Sequence, residues 1–243
     1  MLSSPGEIKP VVPEDDSRLV VDDIIYPGET GSISAHFARP KGDRKQAGVV
    51  VIHENRGLVP HIKDVARRVA LEGFLVIAPD ALSPVGGTPE DVTDVPTLIR
   101  KIDREATIKN FVAATKYLKT HHQSTGKVGV MGFCWGGGMS NQVAVNSPDL
   151  KAAVPFYGIQ PEAEDVPKIK ASLLLHYAGN DERINQGIPA YESALKKADV
   201  EYKLYTYPGA EHGFFNDTGS RYDPEAAKLA WDRTITFFKQ NLS

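Results

Sequence analysis

Apolar residues in this chain fall in short, unbroken runs that alternate with stretches of helical period. Residues 19–26 and 32–38 read as two short strands separated by Pro27-Gly28 and Gly31, which favour turns, so they predict an antiparallel hairpin. Residues 47–52 read AGVVVI. A β-branched run with no polar face is the signature of a strand buried on both sides of a parallel sheet. Ile62, Val65, Ala66 and Val69 then recur at the spacing of one helix face, Gly73 ends that helix, and residues 74–78 resume strand. Ile108, Phe111, Val112, Thr115 and Leu118 trace a second helix face, followed by a strand at 127–131 and a helix of small residues from Gly136. Strands at 152–156, 171–177 and 202–207 alternate with a helix at 188–198, and a helix at 225–240 closes the chain. Such alternation predicts an α/β fold, with a mostly parallel central sheet flanked by helices behind the N-terminal hairpin.

No linker or shift in composition divides residues 19–243, which are expected to form one domain preceded by a polar arm, residues 1–18. Residues 82–96 (LSPVGGTPEDVTDVP) predict a loop that either covers a site or forms an exposed crossover. Hydrophobic residues make up 41% of the chain and charged residues 24%, the balance of an ordinary globular protein. With 28 Lys plus Arg against 31 Asp plus Glu, a net charge of -3 and no basic run, nucleic acid is not an expected partner. No stretch approaches the roughly 20 apolar residues that cross a bilayer. The first residues also lack the apolar core of a signal peptide, so the chain as written reads as cytoplasmic. Its single cysteine cannot form an internal disulfide, so the fold does not depend on oxidation. A monomer or a homodimer is expected.

Residues 132–136 (GFCWG) lie between a predicted strand and a predicted helix. A strand-turn-helix of this form is the nucleophile elbow of α/β-hydrolase folds: the central side chain is pushed out above the sheet, and a Cβ on either flanking glycine would clash. Here the central residue is Cys134. The bland alternative is a buried structural cysteine beside a glycine-rich turn. A thiol nucleophile needs a base, and the base needs a group that fixes its tautomer. Downstream, Asp181 stands just past a strand's carboxyl end and His212 follows the next strand, in the order nucleophile, acid, histidine. Glu182 and Glu211 compete for the acid role. Backbone N–H groups of Trp135, after the nucleophile, and of Asn55, in the loop after strand 47–52, are the candidate oxyanion hole. Glu54 in that same loop either contacts the thiol or is a surface acid. Tyr157, Trp135, Phe214 and Phe215 are candidate aromatic pocket walls or core residues, and Arg56, Arg183 and Arg221 are candidate cations for a substrate or members of salt bridges. The remaining histidines, His36, His53, His61, His121, His122 and His176, show no metal-ligand spacing, so neither metal nor cofactor is expected. His53 and His176, at strand ends, read as structural, and His121-His122 as a solvated helix end.

The segments VVVIHENRGL with the following APDAL, GKVGVMGFCWGGG, AAVPFYG, LLLHYAGNDERI and YPGAEHGFFND resemble the dienelactone hydrolase family, over nearly the whole chain from about Val20. The resemblance implies an α/β-hydrolase fold that cleaves a small-molecule carboxylic ester or lactone through an acyl-cysteine. The triad would be Cys134, Asp181 and His212, with Trp135 and Asn55 as oxyanion donors and Glu54 as a carboxylate that keeps the resting thiol poorly reactive. A thioesterase or other acyl hydrolase on the same triad is the nearest alternative; a non-hydrolytic thiol redox sensor or binding protein is the alternative of another class. Typical members bind a substrate carboxylate with two arginines, one after the PD-containing strand and one beyond the histidine. Here those segments read PDALSP and HGFFN, without arginine. Relatives of this kind often carry a twin-arginine export leader, and such a leader would imply a periplasmic location.

Overall fold

The apolar runs become strands and the periodic stretches become helices that cover them. The computed structural model describes residues 9–243. The hairpin is formed by β1 (Leu19–Gly28) and β2 (Gly31–Pro40), and the buried run is β3 (Gln46–Ile52), followed by α1 (Pro60–Leu71) and β4 (Leu75–Pro79). Next come α2 (Val95–Lys101), α3 (Arg104–Thr120), β5 (Ser124–Phe133), α4 (Trp135–Asn146) and β6 (Ala152–Phe156). The chain ends with β7 (Ser172–Asn180), α5 (Glu182–Asn185), α6 (Ile188–Lys197), β8 (Tyr202–Glu211) and α7 (Pro224–Asn241). One eight-stranded sheet has the order β1-β2-β4-β3-β5-β6-β7-β8. β2 runs antiparallel to β1 and β4, and every other pairing is parallel. The expected α/β-hydrolase architecture, hairpin included, is the one observed.

Alternation along β3 shows why both sheet faces need cover. Val49 and Val51 pack on one face with Ile62 and Val65 of α1 and Phe238 of α7. Val50 and Ile52 pack on the other with Phe111 and Leu118 of α3 and Val143 of α4. Successive strand side chains point to opposite faces, so an all-apolar strand must be sandwiched. Each fully buried side chain of this size contributes roughly 1.5–3 kcal/mol. Asp103 caps α3 by accepting the Ala106 N–H at 2.8 Å, and Asp223 caps α7 by accepting those of Glu225 and Ala226.

Three local features depart from the sequence pattern. β5 and β8 extend past their apolar runs, because a ladder needs only backbone partners. α2, within and just after the loop expected at 82–96, buries only Val95 and Ile99, too few apolar positions to show a period. The described part of the N-terminal arm docks on α1: Val11 and Val12 donate their N–H groups to Asp64 at 3.1 and 2.8 Å, and Arg67 donates to the Val12 carbonyl at 2.7 Å. No helix among the described residues is long and apolar enough to cross a membrane.

Candidate active site

The parallel strands β5, β7 and β8 deliver three side chains to their carboxyl edge, where sites in open α/β sheets gather. β5 ends at Phe133 and α4 starts at Trp135, so Cys134 alone makes the turn, at φ 56 and ψ -116. A residue with a Cβ is strained there and persists only when its surroundings dictate it. The Cys134 N–H donates to the Phe156 carbonyl at 3.0 Å, and its own carbonyl accepts from the Gly138 N–H at 3.1 Å. A Cβ on Gly132 would lie 2.2 Å from the Gly136 carbonyl oxygen, and one on Gly136 would lie 2.4 Å from that of His53. The turn therefore closes only with glycine on both sides.

Asp181 is the first residue past β7. It caps α5, accepting the Ile184 N–H at 3.4 Å, and its other carboxylate oxygen lies 2.5 Å from His212 Nδ1. Nδ1–H donates to the carboxylate, which leaves Nε2 unprotonated and able to take a proton. His212 follows β8 and packs on the Tyr157 ring at 5.0 Å between centroids. Glu182 and Glu211 are exposed, and neither meets the imidazole. Of the competing acids, Asp181 is the one in contact with His212.

The electrostatics at the sulfur disfavour the thiolate. Burial first and the Glu54 carboxylate second push the Cys134 thiol up to about 11. Backbone N–H groups of Trp135 and Asn55 face the sulfur and, with the Arg183 guanidinium, pull in the opposite direction without prevailing. The two donors thus meet at the sulfur. Glu54 is half-buried, and Asn216 Nδ2 donates to its Oε2 at 2.8 Å. The loop that carries Glu54 and Asn55 is braced from below. Thr88 Oγ1 accepts the Leu58 N–H at 2.8 Å and donates to Asp80 at 2.9 Å. The loop at 82–96 therefore packs against the loop that follows β3.

Other expected residues sort by burial. Tyr157 is fully buried at φ 37, and its hydroxyl has no hydrogen-bond partner among the described residues. Burial, Glu54 and Cys134 together hold it far above the usual tyrosine range. Trp135 is half-buried and stacks on His53 at 5.4 Å. Phe214 and Phe215, at 0% and 4% exposure, pack among Phe133, Phe156 and Tyr207, which is the core alternative for this pair. Arg56, Arg183 and Arg221 are exposed and belong to no salt bridge among the described residues. His53 is buried, with Nδ1 on the Glu54 carbonyl at 2.6 Å and Nε2 accepting the Ala81 N–H at 3.1 Å. His176 is bracketed by Thr234 at 3.0 Å and the Tyr207 hydroxyl at 2.9 Å. Asn216, Thr88 and Asp80 were not singled out in the sequence. Asn216 lies 162 residues from its partner, and no local spacing could reveal that contact.

A strained cysteine turn at the carboxyl edge of this sheet, with an acid just past β7 and a histidine just past β8, has the form of an α/β-hydrolase. A model of the dienelactone hydrolase family matches residues 33–242. Among similar chains is one from Saccharolobus solfataricus, provisionally named carboxymethylenebutenolidase, 33% identical over 90% of this chain and 98% of its own. Another of the same provisional name, from Escherichia coli, is 31% identical over 95% of this chain and 90% of its own. A crystal structure from Klebsiella pneumoniae, provisionally titled a dienelactone hydrolase, superposes with a TM-score of 0.84 at 27% identity, over 91% of this chain and 99% of that one. This chain belongs to the dienelactone hydrolase family and is a hydrolase of the carboxylic-ester and lactone type.

Proposed function

We propose that the protein hydrolyses a small-molecule carboxylic ester or lactone through an acyl-cysteine intermediate, with Cys134, His212 and Asp181 as the triad. The observation that carries this reading is the backbone of Cys134, held at φ 56 between a strand and a helix by glycines that tolerate no Cβ. Strain of that kind at a thiol has no use in packing, but it presents a nucleophile.

His212 Nε2 takes the thiol proton as sulfur attacks the carbonyl carbon. The carbonyl π electrons move to oxygen, and the N–H groups of Trp135 and Asn55 receive the oxyanion. Collapse expels the alkoxide, which takes the proton from His212 and leaves a thioester on Cys134. His212 then deprotonates a water that attacks the thioester, and the thiol is restored as the carboxylic acid departs. Asp181 holds the tautomer and stabilises the imidazolium throughout. Glu54 keeps the resting thiol protonated, which protects it from stray oxidation. The buried Tyr157 hydroxyl, near both Glu54 and the sulfur, supports a role for Tyr157 as a wall for the acyl group. The arginine-free segments after β4 and His212 make the substrate's recognition different from that of a site that holds a substrate carboxylate between two arginines.

The test is turnover of a p-nitrophenyl ester and of a simple lactone by the Cys134→Ala protein. Full loss of hydrolysis is expected, and turnover at the unsubstituted rate would refute the mechanism.

A further inference from the structure

Glu54 has a single side-chain hydrogen bond among the described residues, and its donor is the neutral amide of Asn216. The direction of that amide is fixed. Its oxygen accepts the Thr218 N–H at 3.0 Å and the Thr218 hydroxyl at 2.6 Å, which leaves only Nδ2 to face Glu54 at 2.8 Å. The turn that carries Asn216 is in turn fastened to α1. Asp217 lies 2.5 Å from Arg68 and 3.0 Å from His61, and burial that would raise its carboxyl is outweighed by these two partners, which hold it down to about 2. Arg68 also pairs with Asp64, the residue that receives the N-terminal arm.

We propose that Asn216 is a positioning residue that sets the reactivity of Cys134 by holding the Glu54 carboxylate beside the sulfur. The inference rests on Cys134 as the reacting thiol. Its physical content lies in the neutrality of the donor. A lysine or arginine at this position would satisfy Glu54 and cancel its charge at once, whereas an amide satisfies it and leaves the full negative charge facing the thiol. Removing the amide leaves a half-buried carboxylate without a donor. It then turns to water past the exposed Asn55 and Arg56, and its field at the sulfur weakens.

The sulfur also faces Arg183 from α5 and Tyr157 beyond β6, and Tyr157 carries His212 with Asp181 against its ring. Tyr157 also faces the Phe215 backbone and the Arg221 guanidinium, and all four variants keep every one of these side chains, so the comparison between variants isolates Glu54 and Asn216.

The experiment is the pH dependence of Cys134 alkylation by iodoacetamide in the full chain, comparing Asn216→Ala, Asn216→Ser, Glu54→Gln and the double variant Glu54→Gln/Asn216→Ala. Serine keeps an oxygen for Thr218 but is too short to reach Glu54, so it preserves the turn while removing the tether. Both Asn216 variants should move the alkylation inflection down by about one pH unit, with about tenfold faster alkylation below it, and Glu54→Gln at least as far. The double variant should go no further than Glu54→Gln. If the Asn216 variants keep the unsubstituted inflection while Glu54→Gln lowers it, the tether has no role and the proposal is overturned. If Glu54→Gln itself leaves the inflection in place, Glu54 does not set the thiol and the proposal falls with that premise. Because alkylation is read directly, either result is separate from the turnover of Cys134→Ala.

Discussion

The imidazole of His212 meets the carboxylate of Asp181 at 2.5 Å, although the two residues are 31 positions apart in the chain. Adjacent parallel strands make the meeting possible: Asp181 is the first residue past β7 and His212 the first past β8. The contact fixes the proton on Nδ1 and leaves Nε2 as the base. Asp181→Asn should therefore present an amide N–H, favour the opposite tautomer and lower kcat/KM by about 10³–10⁴ at unchanged fold. Steady-state ester hydrolysis checks this, and a loss smaller than about tenfold would remove Asp181 from the triad.

The elbow makes a prediction about stability as well as activity. Gly132→Ala introduces a Cβ 2.2 Å from the Gly136 carbonyl oxygen, a backbone atom that cannot swing aside. The variant should lose at least about 3 kcal/mol of stability, the upper range for an overpacked site. A denaturant titration measures it; an unchanged midpoint would mean the turn is looser than its geometry states.

Thr88 supports the loop that carries Glu54 and Asn55 by accepting the Leu58 N–H and donating to Asp80. Thr88→Val keeps the volume and removes both bonds, leaving a backbone donor without its partner. The expected cost is about 1–3 kcal/mol in stability. A fall in kcat with little change in KM should accompany it, because the donor at Asn55 acts on the developing oxyanion. If KM alone rises, the brace serves substrate binding and not the oxyanion hole.

Acid stability has a defined sign. Burial lowers the His176 imidazole from its ordinary 6.5 to about 3. Between these values the unfolded chain binds more protons than the native one, so the stabilisation is complete above pH 6.5 and drains away as pH falls toward 3, at about 1.4 kcal/mol per pH unit for this one group. His53, also lowered by burial, acts in the same direction. His176→Gln should flatten the fall in unfolding free energy between neutral pH and pH 4 relative to the unsubstituted chain. An equally steep fall would place the acid-labile group elsewhere.

The α/β architecture was legible because a strand buried on both faces has no polar positions, and residues 47–52 have none. The turn at Cys134 was legible because its steric rule acts on neighbours in sequence. The strand-end turn already favours Asp181 over Glu182 and Glu211 in the sequence, and in the structure Asp181 is the one of the three in contact with His212. Phe214 and Phe215 follow the histidine as pocket walls would, but an aromatic pair at a strand end looks the same in sequence whichever way it turns, and here it turns inward. The arm before residue 19 reads as polar because its attachment uses backbone groups of Val11 and Val12, which carry no side-chain signature. The Asn216–Glu54 contact joins two loops far apart in the chain and leaves no periodic trace.

The central claim is that Cys134 carries the acyl group during turnover. Rapid mixing with excess p-nitrophenyl acetate, followed by acid quench and peptide mass spectrometry, tests it directly. The account predicts a burst approaching about one nitrophenolate per chain and an acetyl group on the peptide containing Cys134, both absent in Cys134→Ala. Steady hydrolysis with no burst and no acyl adduct, or an adduct on another residue, would contradict it.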